Sequence, residues 1–445
     1  MPNVTYPPIR RSRELLSRAT GLIPAYTQTL AKGPQQYVKG VAPAYAERGK
    51  GAYLWDVDGN RYLDYTMGVG PLILGYSHPV INRAIEEQLH DGITFSLMHP
   101  LEVEVAELLR EMIPSVESIR YSKTGCDVTS AAVRLARAYT GRNTVLCCGY
   151  HGWHDWYISV TDRSAGVPSE IKNLTYTFSY NDLQSVAEAI DDDTAAIILE
   201  PIVFEEPQPG FLEGIRQLCS ERGIVLIFDE MWTGFRIAVG GAQEYFGVEA
   251  DLVCYSKAIA NGMPLSVLAG KAEIMRLLEH DVFFFTTFGG EALSLAAAKA
   301  TLKIIRDENI PIRINTVGNI LREGIRSEIR RYGCDFLTCD GLGMRTTVSF
   351  NSAFGDPQLM KSFLQQELLV RGILWSGSHN ISASHTQYEI DTTIDAYADV
   401  LPVFKEHVDA GTLTTALHGK PIEPVFRKTS NFNTKPKHQH EVIVT

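Results

Sequence analysis

The run "DLVCYSKAIANGMP", residues 251–264, takes apolar, β-prone residues straight into Ser256-Lys257 and then into a glycine-marked turn at Asn261-Gly262. A lysine at the carboxyl end of an interior strand is placed for chemistry. Partial burial and nearby positive charge favour its neutral amine, which forms a covalent imine with an aldehyde cofactor. Taken alone, Lys257 is equally a side chain snorkelling from a strand end to solvent. Asp229 shifts the balance. It ends the strand-like "IVLIFDE" (224–230), where a carboxylate is costly unless paired. Opposite a pyridine nitrogen it would keep that nitrogen protonated and make the ring an electron sink. A structural ion pair or helix cap is the alternative. The two residues are 28 positions apart (257 − 229), about one strand–helix–strand passage, so neighbouring strand ends can hold both.

Thr124-Gly125-Cys126 follows "IRYS" and precedes a helical pattern. Glycine at a strand-to-helix turn lets backbone approach a phosphate, and the helix start offers N–H donors; an ordinary cap has the same sequence. "TTFGGEA" (286–292) repeats the theme with Thr287 among its hydroxyls. Tyr150-His151-Gly152 follows "TVLCCG", where an aromatic ring either stacks on a planar cofactor or packs in the core. His151 and His154 lack companion acidic or cysteine ligands, so no metal site is expected.

The elements that must position these residues are legible in outline. "TVLCC", "AAIILEP", "GIVLIFDE", "DLVCYSK" and "LSVLAG" are short apolar runs separated by helical stretches such as "PLEVEVAELLREMI" and "TSAAVRLARAYTG". That alternation predicts an α/β fold with a mainly parallel sheet covered on both faces, and ligands in such sheets bind beyond the strands' carboxyl ends. "GAYLWDVDGNRYLDY" (51–65) reads as a hairpin turning at Asp58-Gly59-Asn60. The first forty residues read as a loosely held arm. "EALSLAAAKATLKIIRDENI" is a long helix leading into a smaller α+β region, and the chain past about residue 416 reads as a polar surface tail. The expected organisation is an N-terminal arm and part of a small domain (1–65), a large domain (66–310), a C-terminal small domain (311–415) and the tail (416–445).

Composition narrows the function. The 445 residues include 45% hydrophobic and 21% charged side chains, as in soluble enzymes, and the net charge of −11 disfavours nucleic-acid or membrane-surface partners. Seven cysteines without a CxxC pair suggest reduced thiols rather than disulfides or structural zinc. Neither a signal-peptide core nor a membrane-length apolar run is visible, so a cytoplasmic location is expected.

From about residue 14 to 402 the chain resembles the class III aminotransferases, fold type I of the pyridoxal phosphate enzymes, and most closely their glutamate-1-semialdehyde aminomutase-like branch. The phrases that carry this are "GAYLWDVDGNRYLDY", "GPLILGYSHP", "RLARAYTGR", "YHG", "PQPGFLEGIR", "FDEMWTGFRIAVGGAQ" and "SHTQYEID", in order. The resemblance implies a large domain with a mainly parallel, helix-flanked sheet, a smaller α+β domain from both chain ends, and pyridoxal 5'-phosphate as cofactor. It implies that Lys257 holds the cofactor covalently, that Asp229 faces the pyridine nitrogen, and that Tyr150 stacks on the ring beside His151. Thr124, Gly125 and Cys126 would hold the phosphate, with Cys126 standing where the family has threonine. Glu200 matches a carboxylate near the cofactor pocket. Thr287 matches a threonine that reaches the phosphate from the other subunit, which implies a homodimer with shared active sites.

Departures fall on substrate recognition. Lys32 stands where the aminomutase branch has an arginine, Val69 where it has a tryptophan, and Gly377 where it has a lid glutamate; the stretch around Phe204-Glu205 replaces an asparagine. Trp375, Ser376, Ser378, His379, Asn380 and Glu205 are polar or aromatic instead, which suits a hydroxyl-rich substrate such as a sugar or aminocyclitol, or ordinary packing. Arg236 is a candidate for the donor carboxylate or a structural ion pair. The expected activity is transfer of an amino group from a small amino acid, glutamate for example, to an aldehyde or ketone of a small polar metabolite. A 1,2-aminomutase and a non-catalytic cofactor-binding protein are the alternatives.

Overall fold

A computed structural model describes residues 6–203, 205–423 and 432–437; Phe204 and most of the tail expectation lie outside these residues. The chain divides into two compact units, one of Met1–Pro79 with Ile310–Thr429, the other of Val80–Asn309 with Ser430–Thr445.

The first unit begins with a helix over Arg10–Ala19. Its own N-cap side chain makes no bond, but Asp58 caps it from a distance, accepting from the N–H groups of Arg11 (2.7 Å) and Ser12 (2.9 Å). Ile9, Ala19, Tyr37 and Val38 are buried, so residues 6–40 are packed rather than loosely held. Their polar composition hid three short 3-10 turns between these buried side chains. Strands β1 (Ala46–Lys50), β2 (Tyr53–Asp56) and β3 (Arg61–Asp64) follow as an antiparallel meander. The β2–β3 hairpin forms as the sequence predicts. Asp56 accepts from the N–H groups of Asp58 and Asn60 at 2.9 and 2.8 Å, and Gly59 supplies the positive φ of +90°.

The second unit holds seven strands: β4 (Ser118–Ser122), β5 (Thr144–Cys148), β6 (Thr175–Thr177), β7 (Thr194–Leu199), β8 (Val225–Asp229), β9 (Leu252–Tyr255) and β10 (Ser266–Gly270). They form one sheet in the order β4-β10-β9-β8-β7-β5-β6. Only β10 runs antiparallel to its neighbours. Every residue of β5, β7, β8, β9 and β10 is buried, which explains why they read as continuous apolar runs rather than alternating ones. Each fully buried Val, Leu or Ile there contributes roughly 1.5–3 kcal/mol of transfer free energy.

Strand β6, Thr175-Tyr176-Thr177, has no apolar run and escaped the sequence reading. Its outer edge is covered by residues 432–437. Thr177 donates its N–H to the Lys435 carbonyl (2.9 Å), Lys435 N–H returns to the Thr177 hydroxyl (2.7 Å), and Thr177 bridges Pro436. Asn433 bonds Thr177 and Ser179, and Lys437 pairs with Asp191. This part of the tail is a strap on the sheet edge, where free backbone groups would otherwise invite pairing.

The chain then returns to the first unit. A helix over Ile310–Tyr332 leads to β11 (Leu337–Leu342) and β12 (Arg345–Phe350); a helix over Pro357–Val370 precedes β13 (Ile373–Leu374) and β14 (Ser378–Asn380), and a helix over Gln387–Asp409 closes it. β13 pairs parallel to β3 through Ile373↔Leu63 and Leu374↔Asp64, while β11, β12 and β14 form a separate three-stranded sheet. This unit is the smaller α+β domain built from both chain ends. No described helix is long and apolar enough to cross a membrane.

Candidate active site

The parallel strands of the second unit end along one edge of the sheet. Cys148, Leu199, Phe228 and Val253 lie in register across β5, β7, β8 and β9. The next residues along each strand therefore emerge side by side: Gly149-Tyr150-His151 after β5, Glu200 after β7, Asp229 at the end of β8, and Lys257 just past β9. Tyr121 of β4 and Tyr255 of β9 are level with each other through Val267 of β10, which sets Thr124-Gly125-Cys126 off the same edge.

Asp229 is buried and has two partners. One carboxylate oxygen accepts the Met231 N–H at 3.1 Å, and the other lies 2.8 Å from His151 Nδ1. His151 Nε2 is 3.2 Å from the Cys148 carbonyl. The imidazole sits enclosed between that carbonyl and the carboxylate, and this partner is how a carboxylate survives at the end of an apolar strand.

Glu200 closes the next position. Its carboxylate accepts the Tyr150 N–H at 2.7 Å. Burial and then the Asp229 charge push its pKa up, against the opposing pull of His151, the Tyr150 N–H and Lys257. Gly149 leaves the room: at φ +116°, a Cβ there would sit 2.8 Å from the Glu200 oxygen. Tyr150 itself is exposed, edge-on to Tyr157 at 5.7 Å.

Lys257 opens a 3-10 turn, Lys257–Ala260, and holds a φ of +44°; Asn261 follows at +45°. A lysine in this region is strained by about 1–3 kcal/mol, a signature of sites where geometry matters more than local comfort. The Ser256 hydroxyl anchors the turn by donating to the Leu265 carbonyl at 2.7 Å.

Past β4, Thr124 caps the helix Gly125–Thr140 in a reciprocal box with Asp127. A Cβ on Gly125 would meet Met231 Sδ at 2.9 Å, and one on Gly152 (φ +108°) would meet Cys126 Sγ at 2.6 Å. These glycines let the helix start pack closely against Met231 and the Gly152 turn. Burial pushes the Cys126 thiol up, so it sits there as a neutral thiol.

Other expected residues are placed differently. Thr287 and Glu205 are exposed, Thr287 between exposed Phe285 and Phe288, Glu205 accepting from Asn181 at 3.3 Å. Lys32, Trp375, His379 and Asn380 belong to the first unit. Trp375 and His379 are enclosed there, and the His379 ring nitrogens engage Thr346 (2.9 Å) and Tyr397 (3.2 Å). Burial holds His379 neutral, down at about 3. Both are core side chains, a correction to their reading as substrate contacts: Trp375 lies in the link after β13, and His379 on β14 is held inward by Thr346 and Tyr397. Asn380 donates to the Thr66 carbonyl at 3.1 Å while its side-chain oxygen has no partner, and Lys32 is exposed near the buried Asp64. Arg236 is fully buried against the Trp232 ring at 5.3 Å, a structural position. The contact of His151 with Asp229 was not legible; the only signal was its place beside Tyr150, 78 residues before Asp229. Among the described residues no cluster of His, Cys, Asp or Glu is arranged for a metal.

The family profile described as aminotransferase class-III matches residues 36–380. The chain is 35% identical over 422 residues to a glutamate-1-semialdehyde 2,1-aminomutase of Methanothrix thermoacetophila, covering 87% of this chain and 96% of that one. It is 39% identical over 312 residues to a 3-aminobutyryl-CoA aminotransferase of Cloacimonas acidaminovorans, covering 68% and 74%. Among solved structures it is similar to the FumI protein of Sphingopyxis sp. MTA144 in its PLP internal aldimine form, with TM-score 0.84 and 30% identity over 92% of this chain and all of that one. An omega-transaminase from Sphaerobacter thermophilus aligns with TM-score 0.81 and 26% identity over 91% of this chain and all of that one.

Proposed function

This chain belongs to the class-III aminotransferases, and from that membership we propose that it moves an amino group from a small amino acid, such as glutamate, to an aldehyde or ketone of a hydroxyl-bearing metabolite. It is a pyridoxal phosphate-dependent enzyme of fold type I, a family that uses amino donors and carbonyl acceptors. The observation that carries the residue assignment is the row of strand ends that aligns Asp229, His151, Glu200 and Lys257. When bound, the cofactor supplies an aldehyde for nitrogen transfer and a pyridinium that accepts the electrons released at the substrate carbon.

The side chains fit that group. The Asp229 carboxylate, backed by His151, would face the ring nitrogen, and the exposed Tyr150 would lie against the ring. Gly125 and Gly152 pack against Met231 and Cys126 with no room for a Cβ, and the start of the helix Gly125–Thr140 would turn its N–H groups to the phosphate. Thr124 takes over where the family hydroxyl is replaced by Cys126. Lys257 would hold the cofactor covalently through its amine and, once free of it, would move a proton at the substrate α-carbon as general acid and base. Glu200 fixes the turn that carries Tyr150.

A homodimer completes the proposal. Leu97, Met98, Phe283, Phe285 and Phe288 are large apolar side chains exposed on the second unit, with Met98 at 83%. Such exposure is expected where a second copy covers the surface, and the exposed Thr287, between Phe285 and Phe288, would then lie on that face.

The names of the relatives favour the aminomutase as second reading. The two separate cleanly. A screen of amino donors and acceptors, following the bound cofactor's absorbance, should show a half-reaction with an amino acid and its reversal by a hydroxylated aldehyde or ketone. Conversion of one aminoaldehyde without any donor would establish the aminomutase instead. Reaction with carboxylate-bearing acceptors alone would overturn the hydroxylated acceptor.

A further inference from the structure

The turn after β6 has no part in the chemistry above, yet two adjacent side chains in it hold the segment that leaves β7. Tyr180 donates its hydroxyl to the Pro201 carbonyl at 2.6 Å. β5 lies between β6 and β7 in the sheet, so this bond ties together the chain on either side of the strand that leads into Tyr150 and His151. The Tyr180 ring is set edge-on to Phe211 at 5.2 Å. Burial, and then charge at Cys148, Glu205, Glu200 and Glu206, raises the pKa of its hydroxyl and keeps it a donor.

Asn181 takes the other end of the segment. Its amide donates to a Glu205 carboxylate oxygen at 3.3 Å and to the Glu206 carbonyl at 3.2 Å, and its side-chain oxygen accepts the Gln208 N–H at 2.8 Å. It does so from φ +61°, a left-handed conformation that asparagine tolerates better than most residues. Residues 201–208 therefore form a loop fastened at both ends by neighbouring side chains.

The C-terminal strap holds this clamp in turn. Asn433 accepts from the Thr177 hydroxyl at 2.9 Å and donates to the Ser179 hydroxyl at 3.1 Å, on either side of the buried Phe178. Tyr180 and Asn181 come next. At the loop's start, Glu200 donates its N–H to the Cys148 carbonyl at 3.2 Å while its carboxylate accepts from Tyr150. The loop thus leaves the sheet between the residues that follow β5 and Asp229 at the end of β8. Glu205 and Glu206 give it two exposed carboxylates, which repel an acidic substrate and accept hydrogen bonds from hydroxyls.

We propose that Tyr180 and Asn181 are positioning residues that hold residues 201–208 beside the row of strand ends, and that this loop sets recognition of the carbonyl acceptor. The recognition role rests on the proposed function, which makes that row the place where substrates bind. The clamp itself rests on its hydrogen bonds. Its loss should weaken acceptor binding and leave Lys257 and Asp229 to their chemistry.

Tyr180→Phe and Asn181→Asp test this in the holoenzyme, with melting temperature as the folding control. Amide hydrogen exchange, read by mass spectrometry, should quicken across residues 201–208 in both variants and in Asn433→Ala, with β8 and β9 unchanged. Unchanged exchange in all three would overturn the clamp. Acceptor KM should rise about fivefold or more in Tyr180→Phe, the worth of one hydrogen bond. It should rise about tenfold or more in Asn181→Asp, which loses two donors and sets a second carboxylate against Glu205. In both, kcat should stay within about twofold, as for a contact that binds without stabilising the transition state. Adding Glu205→Gln to Asn181→Asp returns a donor to that contact and should recover most of the lost KM. Faster exchange with an unchanged acceptor KM, or a loss confined to kcat, would overturn the role in recognition. A parent enzyme that shows no half-reaction with any amino donor would strike the assigned reaction and recognition together, while exchange alone still decides the clamp.

Discussion

His151 and Asp229, both closed off from water, meet at 2.8 Å. The other imidazole nitrogen lies 3.2 Å from the Cys148 carbonyl, so β5 holds the ring that faces the end of β8. Removing either partner has a readable cost. Asp229→Asn should lower kcat by two to three orders of magnitude, on the order of the loss for one preorganised electrostatic contact. His151→Asn should cost about 10–100-fold, the worth of one hydrogen bond to a charged group, and should shift the pH profile of the bound cofactor's absorbance. An unaltered profile in His151→Asn would show that the imidazole does not act on Asp229.

Lys257→Ala should abolish turnover by at least about three orders of magnitude, since both attachment and proton movement are lost. The variant should still bind the cofactor but release it on gel filtration after borohydride treatment, where the parent keeps it.

Gly152→Ala adds a methyl group 2.6 Å from Cys126 Sγ at a φ of +108°. The helix start must move, so cofactor affinity should drop by tenfold or more, measured by equilibrium dialysis. Cys126→Ala together with Gly152→Ala should recover part of that loss, leaving the φ strain.

Glu230 is a fully buried carboxyl raised from 4.5 to about 7 by burial, against the N–H groups of Ala242 and Gln243 and the Thr233 hydroxyl. Its folded pKa exceeds the unfolded one. Its contribution to stability is therefore complete below pH 4.5 and is lost as pH rises through 7. The amount lost is on the order of 3 kcal/mol. Glu230→Gln should flatten the fall in melting temperature between pH 5 and 7.5 attributable to this group; the same slope in both proteins would refute it.

Ending the chain at residue 431 removes the strap from β6, including the Lys435–Thr177 exchange and the Lys437–Asp191 pair. A loss of a few kcal/mol is expected from bonds worth about 1 kcal/mol each, with faster aggregation on warming as the edge opens. Light scattering during a thermal ramp measures both.

The sheet and its reactive edge were legible because buried parallel strands announce themselves as apolar runs, and charged residues closing such runs stand out. Lys257 and Asp229 are of that kind. β6 was not legible because Thr175-Tyr176-Thr177 is short and has no apolar run, and the strap that covers its outer edge lies more than 250 residues away. The Asp229–His151 bond depends on strand order, which no local pattern encodes. Trp375 and His379 look like pocket residues by type, but His379 takes its place from the pairing of β14 with β12, opposite Thr346, which no local pattern encodes.

The pairing of β13 with β3 has a consequence for biosynthesis. Leu374 follows Asp64 by 310 residues (374 − 64), and the two are register partners. At roughly 5–20 residues per second on the ribosome, β3 waits about 15–60 s for the strand that covers its far side. Throughout that interval the nascent meander presents Tyr62 and Leu63 to the cell, while the whole seven-stranded sheet is being synthesised. Chaperone supply and slow, cool expression should therefore govern the yield of soluble protein.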